Sequence, residues 1–170
     1  MWVKNPDRLR PVFRGGGQEG GVRGGTQSAP LAWAFAEAAE RQQAYAQSGS
    51  NMGEQLFELL VQAEPQTELV GPPFGAGRAP HIVSIHVPGI PTGPLLNALA
   101  EAGVCCSAGS ACTRSARQDF SKVLTAMGRV PDEGAFVRMS VGRTTQRSEL
   151  EQAAQRFAEC VHELREVYAS

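Results

Sequence analysis

Several features that mark whole classes of protein are scarce or missing in this sequence of 170 residues. Lysine is nearly absent: Lys4 and Lys122 are the only two, and neither completes a P-loop. Charge of one sign is lacking as well. Sixteen Lys and Arg against 17 Asp and Glu leave a net charge of −1 and a pI near 6.3, so no nucleic-acid surface and no anionic-membrane binder is expected. No apolar run approaches the roughly 20 residues that a membrane span needs, and nothing at the amino end reads as a secretory signal. Cys105, Cys106, Cys112 and Cys160 are not spaced as a disulfide framework. The expectation is a cytoplasmic chain with free thiols, long enough for one domain with a sizeable core and extra segments.

What is present begins with an irregular stretch. Pro6 and Pro11 interrupt residues 1–13, and residues 14–26 are dominated by glycine. Gly15, Gly17 and Gly20 spell G-x-G-x-x-G, but no strand precedes them and no βαβ unit surrounds them, so the dinucleotide reading is rejected. A flexible linker is the plain alternative; Glu19, Arg23 and Thr26 weigh against it, because a spacer has little use for them. From Ser28 the chain turns Ala-rich. Leu31, Ala34, Phe35 and Ala38 form one helical stripe, and Met52, Leu56, Leu59, Leu60 and Ala63 form a second. The Ser48–Asn51 stretch between them predicts one long helix weakened there, with two shorter helices as second choice. Pro65 ends it.

Thr67 to Val70 reads as a short strand, residues 71–80 as a loop, and His81 to Val87 as the best strand. Leu95 to Ala102 is a helix closed by Gly103, and Val104 and Cys105 make a short strand. Asp119 to Met127 is a helix with Asp119 as its cap and Gly128 past its end. Phe136 to Val141 is a strand. Leu150, Ala153, Ala154, Phe157, Val161, Leu164 and Val167 then mark an amphipathic helix. Together these predict a small α+β layer domain.

Two residues stand out chemically. Cys112 lies in a loop of small residues, a backbone free to move, and Arg114 and Arg117 follow closely enough to favour a thiolate. A lone cysteine is more often a buried hydrophobe than a nucleophile; here the loop brings the two readings level. Cys105 and Cys106 continue a strand, so at least one points into the core, and Cys160 packs from the last helix. The C-C-x-x-x-x-x-C run lacks the paired spacing of structural zinc sites. Arg138 alternates with Val137, Met139 and Val141, which turns it away from the apolar face. There a guanidinium can hold a carboxylate through two hydrogen bonds; the plainer reading is a solvated arginine on an edge strand. His81, His86 and His162 are read as structural.

Four segments in order resemble one family. They are Gly15-Gly16-Gly17-Gln18-Glu19 with Arg23, Gly25 and Thr26; the Gly109-Ser110-Ala111-Cys112 loop; the Ser121-Lys122-Val123-Leu124-Thr125-Ala126-Met127-Gly128 helix; and the Val137-Arg138-Met139-Ser140-Val141-Gly142-Arg143 strand. They are similar to the cysteine desulfurases, pyridoxal-phosphate (PLP) enzymes of the class V aminotransferase group. The resemblance implies the small carboxyl-terminal domain of a fold-type I transferase, a mixed sheet covered by helices and preceded by a long connecting helix. It divides the chain into a lead-in and glycine loop (1–27, a remnant of the cofactor domain), the connecting helix (28–64) and the small domain with the cysteine loop (65–170). Cys112 then corresponds to the persulfide-forming nucleophile, Arg138 to the arginine that binds the substrate carboxylate, and Thr26 to the threonine that reaches the cofactor phosphate of the partner subunit in a homodimer.

The departures are as informative. The family holds PLP through a lysine of a preceding large domain, and neither Lys4 nor Lys122 stands in that Ser/His-rich context. Arg114 replaces a residue that is usually small. The resemblance therefore implies a desulfurase portion, inactive alone, acting on L-cysteine, delivering sulfur to an acceptor protein such as an iron–sulfur assembly factor, and completed by a homodimer or an amino-terminal fragment. The alternative is a non-catalytic sulfur carrier or interaction module derived from the same family.

Overall fold

The computed structural model describes residues 4–5, 8–47, 51–75, 77–108, 122–130 and 134–168. The chain divides between Ser48 and Gly49 into two units.

In the first unit the glycine stretch closes on itself. The N–H of Gly24 donates to the carbonyl of Phe13 at 3.2 Å, and a Cβ on Gly24 would stand 2.7 Å from N and Cα of Gly15, so the two backbones meet where only glycine fits. A short 3-10 turn, Gln18–Gly21, carries Glu19 at φ 50°. The Gln27 amide donates to Glu19 at 3.3 Å, and the Arg23 guanidinium donates to the carbonyls of Gly25 and Thr26. These bonds give Glu19 and Arg23 a structural task that a bare spacer does not have. Helix α1 (Ala29–Gln47) follows, with Pro30 in its first turn, where the missing N–H costs nothing. Leu31, Trp33 and Phe35 are exposed on it.

The second unit starts with α2 (Met52–Ala63). Both stripes of the 28–64 region are helical; residues 48–50, where the expected weakening falls, lie outside the described residues, and the boundary between units falls there. Gly53 is the tight point of α2: a Cβ there would lie 2.2 Å from the carbonyl oxygen of Pro80. Strands β1 (Glu68–Leu69) and β2 (Ile82–Pro88) come next, then α3 (Thr92–Glu101), α4 (Lys122–Ala126), β3 (Gly134–Ser140) and α5 (Arg147–Tyr168).

The sheet order is β1-β2-β3 with both pairings antiparallel; among the described residues the sheet is antiparallel, where a mixed one was expected. The expected strand at Val104 and Cys105 is absent for a local reason. The N–H of Val104 donates to Leu99 O at 2.7 Å and that of Gly103 to Ala100 O at 3.0 Å, with Gly103 at φ 79°. This is a Schellman closure of α3, which spends the backbone groups a strand would need.

Alternation divides the sheet into two faces. Val83, Ile85 and Val87 of β2 and Ala135, Val137 and Met139 of β3 face a dry layer formed with Leu56 and Leu60 of α2, Leu95 and Leu99 of α3, and Leu150, Ala154, Phe157 and Val161 of α5. Val167, expected in that stripe, is 68% exposed, because α5 outruns the core. Arg165 pairs with the buried Glu64 at 2.8 Å and ties the far end of α5 to the end of α2. No helix among the described residues is long and apolar enough to cross a membrane.

Candidate functional site

The opposite face of the sheet is polar. Register places Glu68 across from His86, His86 across from Phe136, and Ser84 across from Arg138, so these five side chains share it. Arg138 is exposed, as its alternation predicted, and its guanidinium makes no ion pair or hydrogen bond among the described residues. Its backbone is fixed on the free edge of β3. Arg138 N–H donates to Ser107 O at 2.6 Å, and Ser107 N–H donates to Arg138 O at 3.0 Å. An antiparallel residue directs both groups to one side, so Ser84 meets Arg138 as the closer, non-hydrogen-bonded kind of pair.

Beyond Ala108 the chain enters residues 109–121, which contain Cys112, Arg114, Arg117 and the expected cap Asp119; all four lie outside the described residues. Both flanks of that stretch return to the sheet, the first to the edge of β3 and the second to the polar face. Ser107 holds the first. After α4, which Gly128 closes at φ 78°, Arg129 holds the second: its Nη2 lies 3.5 Å from Glu68 Oε2, and its guanidinium stacks 5.3 Å over the Phe136 ring. His86, 5% exposed, stacks on the same ring at 4.7 Å and sets Nδ1 3.0 Å from Glu68 Oε2. The hydrogen bond from His86, and less strongly the one from Arg129, hold the Glu68 carboxyl below the ordinary carboxylate value. The anchors Ser107 and Arg129 were not identified from sequence. Neither carries a motif, and their polar partners, Arg138 for Ser107 and Glu68 for Arg129, are distant in the sequence.

The other thiols differ in kind. Cys105 is exposed, Cys106 half-buried against the core, and Cys160 buried. Burial pushes Cys106 up to about 11 and raises Cys160, which holds both thiols further toward the neutral form. Thr26 belongs to the first unit, on an exposed loop; its carbonyl accepts from Arg23, and its hydroxyl has no partner among the described residues.

Residues 14–153 match the aminotransferase class-V family. The chain belongs to that family. A cysteine desulfurase of Trichormus variabilis is 32% identical over 98% of this chain and 42% of its own length. Cysteine desulfurase IscS of Pseudomonas putida is 36% identical over 94% of this chain and 39% of its own length. The X-ray structure of a NifS-like protein from Rickettsia africae superposes with a TM-score of 0.65 at 25% identity, covering 90% of this chain and 40% of that one. The chain thus spans about two fifths of the relatives it matches.

The class-V family is PLP-dependent, and the described residues of this chain do not make up a PLP site. Thr26 offers one hydroxyl, Lys4 is exposed beside the irregular lead-in, and no buried orphan donor set surrounds either.

Proposed function

We propose that the chain is the carboxyl-terminal portion of a cysteine desulfurase, which converts L-cysteine to L-alanine and carries the sulfur as a persulfide on Cys112 for an acceptor protein. Arg138 binds the substrate carboxylate, and Thr26 reaches the cofactor phosphate of a partner subunit. The reading is supported by the reciprocal Ser107–Arg138 backbone bonds, which fix the entrance of the cysteine stretch beside an exposed guanidinium that has no partner among the described residues. A carboxylate held there in two hydrogen bonds orients the amino acid, and the thiol starts only five residues from Ser107. With both lysines outside a cofactor context, the chain alone is inactive and a complementing amino-terminal fragment supplies the Schiff-base lysine.

The test is reconstitution with such a fragment, PLP and a dithiol reductant that releases the persulfide sulfur as sulfide, scoring alanine and sulfide. Cys112→Ser abolishes sulfur release, and Arg138→Lys raises the KM for L-cysteine about tenfold or more, the worth of a charge-assisted bidentate contact. Full activity in both variants refutes the assignment. A stable visible band with PLP on the chain alone, lost on Lys4 or Lys122 substitution, refutes its dependence on a fragment. A carrier, the second reading, acquires a Cys112 persulfide from an active desulfurase but stays inactive with the fragment.

A further inference from the structure

On the helix-covered side of the second unit, a cleft of about 330 Å³ opens between the Gly103–Cys105 turn, the end of β3 and the first three turns of α5. We propose that this cleft binds a small monocarboxylate with a short apolar body. Its floor is dry: Leu56, Val104, Met139 and Leu150 are all buried. Its wall is one stripe of α5, in which Glu149, Gln152, Ala153 and Arg156 recur at i, i+3, i+4 and i+7. A volume of this size with an apolar floor and a few convergent polar groups has the make-up of a small-molecule site.

The polar groups of the wall divide into used and unused. Gly142 N–H donates to Thr145 Oγ1 at 2.9 Å, and Gln146 N–H donates to Glu149 Oε2 at 2.7 Å; both are spent on the start of α5. The Gln152 amide and the Arg156 guanidinium have no hydrogen bond or ion pair among the described residues. The other arginines of α5 are paired, Arg147 with Glu151 and Arg165 with Glu64. Arg156 has no acid at i±4. Its Nη1 lies 3.2 Å from the position a Cβ on Gly103 would take, so the bare backbone of the turn gives the guanidinium its seat at the mouth.

A planar guanidinium beside an amide donor suits a carboxylate. The single Glu149 on the same wall makes a doubly charged phosphate less suitable. It does not favour an α-amino acid either. Seven residues of helix separate Glu149 from Arg156, about 10 Å along the axis, too far for one α-carbon to satisfy both. The site is also separate from the one proposed for L-cysteine, because Arg138 and Met139 point to opposite faces of β3, and it does not depend on the desulfurase reading.

Cys105 lies in the cleft lining with an exposed thiol and serves as the reporter. The full chain is titrated with hexanoate, 1-hexanol or L-leucine while iodoacetamide labelling of Cys105 is followed by peptide mass spectrometry. Hexanoate is expected to slow the labelling saturably, with 1-hexanol and L-leucine needing at least about tenfold higher concentration. Arg156→Gln, which removes no hydrogen bond or ion pair among the described residues, and Gln152→Glu, which sets a like charge beside the ligand, each raise the hexanoate midpoint about tenfold; Arg156→Lys falls between. Protection equal for hexanoate and 1-hexanol, midpoints unmoved in both Arg156→Gln and Gln152→Glu, or no protection at all overturns the proposal.

Discussion

Replacing Gly53 by alanine sets two effects of opposite sign against each other. Gly53 is the second residue of α2, and in an unencumbered helix the change stabilises by at most about 1 kcal/mol, less near an end. At this position the new methyl meets the Pro80 carbonyl: its carbon would lie 2.2 Å from the oxygen, 3.2 Å from the carbonyl carbon and 3.5 Å from Cγ2 of Val83. The backbones must part by roughly 1 Å before the contact is ordinary, and a packed interior has no slack of that size. The movement falls on Leu56 and Leu60, which follow on the same helix at 3% and 0% exposure.

Overpacking of this kind costs about 1–3 kcal/mol, so the net expectation for Gly53→Ala is a loss of about 1–2 kcal/mol. For a unit of this size that is a fall in Tm of about 4–8 °C. Urea unfolding followed by far-UV circular dichroism reads it directly, with the slope unchanged if only the native state is affected. A midpoint equal to or above that of the parent chain would mean that α2 does not seat against the turn at Pro80. The burial of Leu56 and Leu60 against the sheet would then be wrong in the same place.

Phe157→Ala empties the centre of the core, where the ring is fully buried, and should cost about 3–5 kcal/mol, read as a fall in the urea midpoint followed by circular dichroism; a loss under about 1 kcal/mol contradicts that placement. A thiol that ionises at about 11 instead of 9.0 is about a hundredfold less ionised at pH 8, so Cys106 in the native chain should alkylate about a hundredfold more slowly than in urea, as read by peptide mapping. Glu68, whose carboxyl is depressed by His86 and Arg129, contributes stability that is present above its unfolded value of 4.5 and lost as pH falls through the folded one. Urea midpoints over about pH 3 to 6 should therefore decline less steeply for Glu68→Gln than for the parent, and identical slopes would show that the His86 contact adds nothing.

What the sequence made legible was whatever short-range pattern controls. Alternation placed Val137 and Met139 inward and Arg138 outward; the stripe through Leu150, Ala154, Phe157 and Val161 marked the buried side of α5; Gly103 and Gly128 marked helix ends. An apolar pair after a helix, Val104 and Cys105, reads equally as a strand or as the hydrophobic end of a Schellman closure, and local pattern cannot choose between them. Pairings across the fold were hidden for a different reason. Nothing near Ser107 specifies Arg138 as its partner, and nothing near Glu68 specifies His86. Gln152 and Arg156 were overlooked because a reading tuned to apolar periodicity passes over the polar residues between the stripes.

Those hidden pairings decide how the polar face is to be understood. A three-stranded sheet with one face committed to the core leaves the other free to be plain solvated surface. Here the free edge of β3 holds the backbone of Ser107 at one flank of the 109–121 stretch, and the polar face holds the guanidinium of Arg129 at the other. A tether of five residues from Ser107 to Cys112 reaches at most about 17 Å when fully extended, and Arg138 is hydrogen-bonded to the root of that tether. That maximal span is long enough to include a carboxylate bound at Arg138. If Ser107→Pro, which removes the 3.0 Å donor to Arg138, leaves the reconstituted turnover and the KM for L-cysteine unchanged, the clip is only an edge contact and the link between thiol and arginine fails. A rise in KM together with a fall in kcat is the expected result, because the root of the tether and the backbone that carries the guanidinium are disturbed together.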